Sequence, residues 1–268
     1  MDITLIGGGN MANAILGGLI KTPSGRLRVV DPDPSKREAL ASDYGVEALA
    51  ELPAQFTEND IVVLAVKPQQ LRGVCESLAD RLGGALVLSI AAGIRIEALS
   101  RWLGQHARIV RIMPNTPALV GLGVSGLYAP EHISASDRQA AAEVMMAVGS
   151  VHWLATESGI DDVTAISGSG PAYVFYLIES LIEAAQSIGF DSDTARELAL
   201  GTFEGAVRLA RDSHDDVPTL RANVTSKGGT TERAIARFEQ EGIKAKIRAG
   251  VEDCRARSIE LGQQLSEG

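Results

Sequence analysis

The residues with the clearest chemical purpose lie late in the chain, in Asn223-Val-Thr-Ser-Lys-Gly-Gly-Thr-Thr231, where hydroxyls and glycines run into a helix-forming segment. Gly228 and Gly229 lack the Cβ atoms that block close backbone approach, and the amides opening the next helix carry the positive end of its dipole. Such a loop holds a carboxylate or a phosphate, and Ser226, Lys227, Thr230 and Thr231 add side-chain donors that orient it. The same residues also suit an ordinary glycine turn capping a helix. What decides between these readings is the rest of the chain.

At the other end, Asp2-Ile-Thr-Leu-Ile-Gly-Gly-Gly-Asn-Met-Ala12 reads as a buried strand running into a glycine turn and a helix. Gly7, Gly9 and Ala12 occupy the positions of a dinucleotide fingerprint: the first allows the tight turn, the second admits a pyrophosphate, and the small third lets helix and strand pack. A second strand ends at Asp31, the usual place for a residue that meets the adenosine ribose. A carboxylate about 4 Å from a 2′-phosphate costs about 4 kcal/mol at an effective dielectric near 20, which favours NADH; Lys36 and Arg37 follow in the same loop and offset it.

These residues need elements to position them. The first half alternates short β-rich runs, at residues 3–6, 27–30, 61–65, 85–90, 109–113, 123–128 and 150–154, with helical segments. Apolar runs such as Ile61-Val-Val-Leu-Ala-Val66 imply strands buried on both faces, the habit of a parallel sheet covered by helices. After about residue 157 the pattern is helical alone, with segments from 171 to a stop at Gly189, then 192–211, 217–224, 230–241 and 243–265. The fold class is therefore α/β: an N-terminal doubly wound, Rossmann-like parallel-sheet domain over residues 1–157 and an all-α domain over 158–268. The helices are too few and too apolar to close a core alone, so packing of two subunits into an intertwined homodimer is expected; a monomeric helical cap is the alternative.

Composition narrows the class. Hydrophobic residues make up 45% of the 268, enough for a sizeable core, and no run reads as a signal peptide or membrane span, so a cytoplasmic enzyme is expected. With 34 acidic against 25 basic residues the net charge is −9, which opposes binding to nucleic acid or to an anionic membrane. Cys75 and Cys254 are far apart without metal-ligand spacing, so reduced thiols and no metal site are expected.

Four further motifs stand where strands should end, the ligand-binding edge of an open parallel sheet. These are Ala65-Val-Lys-Pro68, Ile90-Ala-Ala-Gly93, Met113-Pro-Asn-Thr-Pro117 and Ser167-Gly-Ser-Gly-Pro171. None of His106, His132, His152 and His214 falls in such a loop, which argues against an alcohol dehydrogenation that needs a strong general base; Lys67 is the nearest candidate for one.

Taken in order, Gly7-Gly-Gly-Asn-Met11, Ala65-Val-Lys-Pro68, Ser89-Ile-Ala-Ala-Gly93, Arg111-Ile-Met-Pro-Asn-Thr-Pro-Ala118, Ser167-Gly-Ser-Gly-Pro-Ala-Tyr173 and Ser226-Lys-Gly-Gly-Thr-Thr231 closely resemble pyrroline-5-carboxylate reductase. The resemblance implies reduction of 1-pyrroline-5-carboxylate to L-proline by hydride from NADP(H), with NAD(H) also accepted. It implies cofactor contacts from Ile6, Gly7, Gly8, Gly9, Asn10, Met11, Ala12, Asp31, Lys36, Ala65, Val66, Lys67, Pro68, Ala91, Ala92 and Gly93. Substrate contacts fall to Asn115, Ser167, Asn223, Gly228, Gly229, Thr230 and Thr231, with Thr231 and Ser226 closest to the proton chemistry. Lys227 departs from the proline usual at that place and loosens the loop. Another imine or β-hydroxyacid reductase of this architecture, a cofactor-sensing protein, and a larger ring of dimers stay open at this point.

Overall fold

The computed structural model describes residues 1–21 and 25–267. Two compact units emerge from the chain's contacts: residues 1–171 with 253–268, and residues 172–252.

The first unit is built on a sheet of eight strands among the described residues, ordered β3-β2-β1-β4-β5-β6-β7-β8. The strands are β1 (Ile3–Ile6), β2 (Leu27–Val30), β3 (Glu47–Leu49), β4 (Ile61–Leu64), β5 (Leu86–Ser89), β6 (Ile109–Met113), β7 (Gly123–Tyr128) and β8 (Gly149–Trp153). From β3 to β6 all pairings are parallel, the doubly wound order of a dinucleotide-binding sheet. Beyond β6 the parallel run ends: β7 runs antiparallel to β6, and β8 lies parallel to β7. The reason is length, because residues 114–122 are too few for a parallel crossover, which takes about a dozen or more.

Burial on both faces explains the apolar strands. Leu5, Val29, Val63, Leu88 and Val110 face one core layer with Ile15 and Leu16 of α1 (Asn10–Leu19) and with Met145. Their neighbours Ile6, Val30, Val62, Leu64 and Val87 face the other layer. There α3 (Pro68–Leu78) contributes Leu71 and Cys75, and α4 (Ile96–Trp102) contributes Leu99 and Trp102. Burial pushes the Cys75 thiol up to about 12, so it stays a protonated packing group. Between α1 and α3 in the chain lies α2 (Pro34–Tyr44), capped by Asp33, whose carboxylate accepts from the Ser35 amide at 2.9 Å. The next helix, α5 (Ala135–Met146), is capped by Ser134. It carries Asp137, which takes Nε and Nη2 of Arg108 on its two oxygens at 2.9 and 2.5 Å.

A short α6 (Gly159–Val163) runs into a π-turn over Thr164–Gly168, where Ser169 N donates to Thr164 O at 2.8 Å. The chain continues into α7 (Gly170–Ser187), which has no buried residue. In the second unit, α8 (Ser192–Asp212) and α9 (Val217–Asn223) each open on an aspartate, Asp191 and Asp216, bonded to the amide three residues on. Then come α10 (Thr230–Gln240) and α11 (Ile243–Glu267). Gly189 and Gly242, with φ of +107° and +66°, stop the chain before the next helix as glycine allows. Large apolar side chains stand in solvent on the single chain, Phe175 at 66% exposure and Tyr176 at 69%, with Leu181, Leu198, Leu209 and Phe238 alongside. Such a surface asks for a partner. No described helix is long and apolar enough to cross a membrane.

Candidate functional site

Parallel strands deliver their loops to one edge, so the carboxyl ends of β1, β4 and β5 bring Gly7, Ala65 and Ala91 to the same side of the sheet. Gly7 N donates to Val30 O and Ala65 N to Ile6 O, both at 2.8 Å, which holds the first turn against its neighbours. Gly7 has φ of +103°, and a Cβ there would lie 2.9 Å from the Ala65 carbonyl oxygen. Only glycine fits. Gly9 differs: it is exposed, has an ordinary φ of −78°, and a Cβ would meet nothing within 4 Å. It is also the N-cap of α1 and has no side chain with which to occupy the helix's opening amides. Ala12 is fully buried against the sheet. The arrangement is a cradle of outward amides at a helix N-terminus, open where an anion would approach.

Asp31, only 5% exposed, is already engaged. Its Oδ2 accepts from Gly8 N at 2.7 Å and its Oδ1 from Asp33 N at 2.9 Å, so the carboxylate ties the glycine turn to the end of β2. Lys36 Nζ lies 3.6 Å from the same carboxylate, and Arg37 donates to the carbonyls of Asp31 and Pro32 at 2.8 Å each. One buried negative charge is thus bordered by two cations. Arg37's grip on the loop was not readable from its position alone.

Along the same edge, Lys67 is the exposed N-cap of α3 with Pro68 in its first turn, so the β4 exit turns directly into a helix. Gly93 has φ of +80°, and a Cβ there would touch Leu265 at 3.4 Å and Gly262 N at 3.6 Å, so the end of α11 packs on the 91–93 loop. That end is fastened by Ser258, which donates to the buried Asp161 at 2.8 Å, and Asp161 pairs with Arg95 at 2.7 Å. At the end of β6, Asn115 is 7% exposed and both ends of its amide are used. Its Oδ1 accepts from Val124 N at 2.8 Å and its Nδ2 donates to Ser167 O at 2.9 Å, which holds the π-turn against the β6 exit.

The other candidate residues belong to the second unit. Ser226 O accepts from Gly229 N at 3.0 Å, and Gly228 has φ of +74°, which makes residues 226–229 a type II turn with glycine at the position that requires it. Lys227 holds the place where proline would stiffen the turn. Gly229 is the N-cap of α10, and Thr230 and Thr231 are its first residues, both exposed. Asn223 closes α9 with its Nδ2 3.4 Å from Asp215. One contact went unread in the sequence: Gly228 N donates to Glu232 Oε2 at 2.6 Å. The signal was available, since an acid three residues after an N-cap commonly reaches back to the amides ahead of the helix. Among the described residues no cluster of three metal-ligating side chains occurs.

Comparison with known proteins bears on all of this. A family model described as pyrroline-5-carboxylate reductase dimerisation matches residues 157–261, and one described as NADP oxidoreductase, coenzyme F420-dependent, matches residues 2–93. The chain is similar to the pyrroline-5-carboxylate reductase of Pseudomonas aeruginosa, at 41% identity over 99% of this chain and 98% of that one. Among solved structures it resembles the pyrroline-5-carboxylate reductase of Coxiella burnetii, with TM-score 0.90, 40% identity and 97% of each chain covered. The Plasmodium falciparum pyrroline carboxylate reductase, solved with NADP bound, gives a TM-score of 0.84 at 28% identity over 98% of each chain.

Proposed function

We infer, since this chain belongs to the pyrroline-5-carboxylate reductase family, that it reduces 1-pyrroline-5-carboxylate to L-proline with hydride from NADPH, the last step of proline biosynthesis. The observation that carries the cofactor half is the cradle at the end of β1, where Gly7 is shut in by the Ala65 backbone and Gly9 is open. A pyrophosphate fits the amides at the start of α1, with Ile6 to Ala12 around it, Asp31 and Lys36 toward the ribose, and Ala65 to Pro68 and Ala91 to Gly93 along the remaining edge. When bound, the reduced nicotinamide supplies the hydride. Lys36 and Arg37 beside Asp31 support use of the phosphorylated cofactor, with NADH as a weaker substitute.

The chain's own part is to bind, orient and protonate. The amides of Gly228, Thr230 and Thr231 take the substrate carboxylate at the positive end of α10, while Gly229, whose own amide closes the turn on Ser226 O, caps the helix that presents them. That fixes the ring, and with it the C=N carbon, which must come within about 3 to 3.5 Å of the hydride donor. The Thr231 hydroxyl then orients the ring nitrogen, whose protonation makes the carbon a better acceptor, and Ser226 lies in the adjoining turn to relay a proton through water. An ordinary hydroxyl is too weak an acid to be the ultimate donor, so these residues position a proton rather than generate it. Asn115 and Ser167 serve as positioning groups, by the hydrogen bond that joins them.

We assign residues 1–157 to cofactor binding and 158–268 to substrate binding and homodimer formation, an assignment supported by the dimerisation model's match and the exposed apolar side chains. Light scattering counts the subunits, and a ring of dimers would appear as a multiple of two. A biosynthetic reductase with two free cysteines fits the cytoplasm. The test of function is oxidation of NADPH by purified protein: turnover with pyrroline carboxylate and none with keto acids is expected. Turnover of keto acids alone would replace this reading with that of a hydroxyacid dehydrogenase, and cofactor binding without any turnover with that of a sensor.

A further inference from the structure

The anion loop of the second unit is already engaged by a carboxylate of its own chain. Gly228 N–H donates to Oε2 of the exposed Glu232 at 2.6 Å. Glu232 stands third in α10 after the N-cap Gly229, the place from which an acidic side chain reaches back over the helix start. The bond is charge-assisted, so the oxygen that makes it competes for the donor with any other carboxylate. The amide it takes is one the loop has gone to some length to present, because the turn at residues 226–229 holds Gly228 at a φ of +74°.

We propose that Glu232 sets the affinity for the substrate: its carboxylate occupies the Gly228 amide in the free protein, and the carboxylate of the imine acid must displace it to bind. This rests on reading the loop as the substrate's carboxylate site. A ligand that must first open an internal contact binds more weakly by the fraction of protein in which the contact is open. After displacement, Glu232 remains as a second negative charge at the same helix start and repels the one that arrived. Glu232 therefore raises KM for the substrate and weakens the product, which carries the same carboxylate, by a similar factor. It hastens product release at the expense of capture.

The experiment compares wild type with Glu232→Gln and Glu232→Ala. Glutamine keeps an oxygen able to accept from Gly228 but loses the charge; alanine loses both. KM for 1-pyrroline-5-carboxylate is measured at saturating NADPH, and dissociation constants for L-proline and for NADPH are measured by calorimetry. The expected result is a fall of about threefold or more in KM and in the L-proline constant for both variants, with the NADPH constant unmoved. If glutamine matches wild type and alanine binds L-proline more weakly, Glu232 only braces the turn and the proposal is overturned. A parallel change in NADPH affinity would also overturn it, by showing a general structural effect. Wild-type protein that fails to turn over the imine removes the functional reading itself; normal turnover with unchanged constants in the variants removes only the role of Glu232.

Discussion

Two glycines two residues apart make opposite demands, and exchanging each for alanine separates folding from cofactor binding. At Gly7 the backbone has φ of +103°, and the new Cβ would sit 2.9 Å from Ala65 O and 3.0 Å from Ala65 C. A left-handed conformation costs an L-residue about 1–2 kcal/mol, and a clash against backbone in a packed core about 1–3 kcal/mol more. Gly7→Ala therefore loses about 2–5 kcal/mol, and at about 2–4 °C per kcal/mol its Tm falls by roughly 4–20 °C. At Gly9, φ is −78°, which alanine adopts freely, and no atom lies within 4 Å of the added Cβ. The cost to the fold is that of alanine at an N-cap, about 0.5–1 kcal/mol. Yet that Cβ occupies the approach to the α1 amides, and holding a pyrophosphate back from its donors costs at least about 1.4 kcal/mol, a tenfold loss of affinity. Thermal denaturation of the apo proteins and NADPH titration by fluorescence measure both quantities. Wild-type NADPH affinity in a well-folded Gly9→Ala protein would refute the placement of the pyrophosphate.

Three further perturbations follow from the same geometry. Asp31→Asn keeps an oxygen for the Gly8 amide but removes the charge, so the ratio of kcat/KM for NADPH over NADH should rise about tenfold, most of the bare repulsion being already offset by Lys36; an unchanged ratio would show that Asp31 only ties the turn. Thr231→Ala should lower kcat by about a hundredfold while Thr231→Ser retains most of it, and a rate unaffected in the alanine variant would remove the proposed role of the hydroxyl. Hydrogen bonds from Arg108 hold the Asp137 carboxyl below its usual value, so the pair's stabilisation is present above about pH 4 and is lost as pH falls through the lower folded-state value. Asp137→Asn should then cost about 1–2 kcal/mol at neutral pH, allowing for the partial exposure of Arg108, and flatten the acid limb of the Tm profile; an unchanged acid limb would contradict the assignment.

Most of the sheet could be read in the chain because β1, β4 and β5 are apolar on both faces, and only a sheet covered on both sides buries such runs. The third strand escaped notice, since Glu47-Ala-Leu49 is three residues at an edge and its place is set by pairing with β2. The reversal at β7 was hidden for another reason: strand direction depends on the length and course of the connection, which no local periodicity encodes. Among the site residues, the fingerprint already assigns Gly7 to the tight turn and Gly9 to the approach of a pyrophosphate, and the Ala65 backbone beside Gly7 supplies the physical reason at the first position. Asn115 shows where such reading stops. A polar tip between prolines suggests contact with a ligand, but the bonds that hold the tip in place, from its Nδ2 to Ser167 O and from Val124 N to its Oδ1, use partners brought to it by tertiary structure.

The account stands on hydride passing from the cofactor to the C=N carbon of a carboxylate-bearing ring. Incubating the protein with 1-pyrroline-5-carboxylate and NADPH deuterated at the transferable position of nicotinamide C4, then locating the label by NMR, examines that step directly. One deuterium at the δ carbon of L-proline, on a single face, is the predicted result; unlabelled proline, or label at any other carbon, would contradict it.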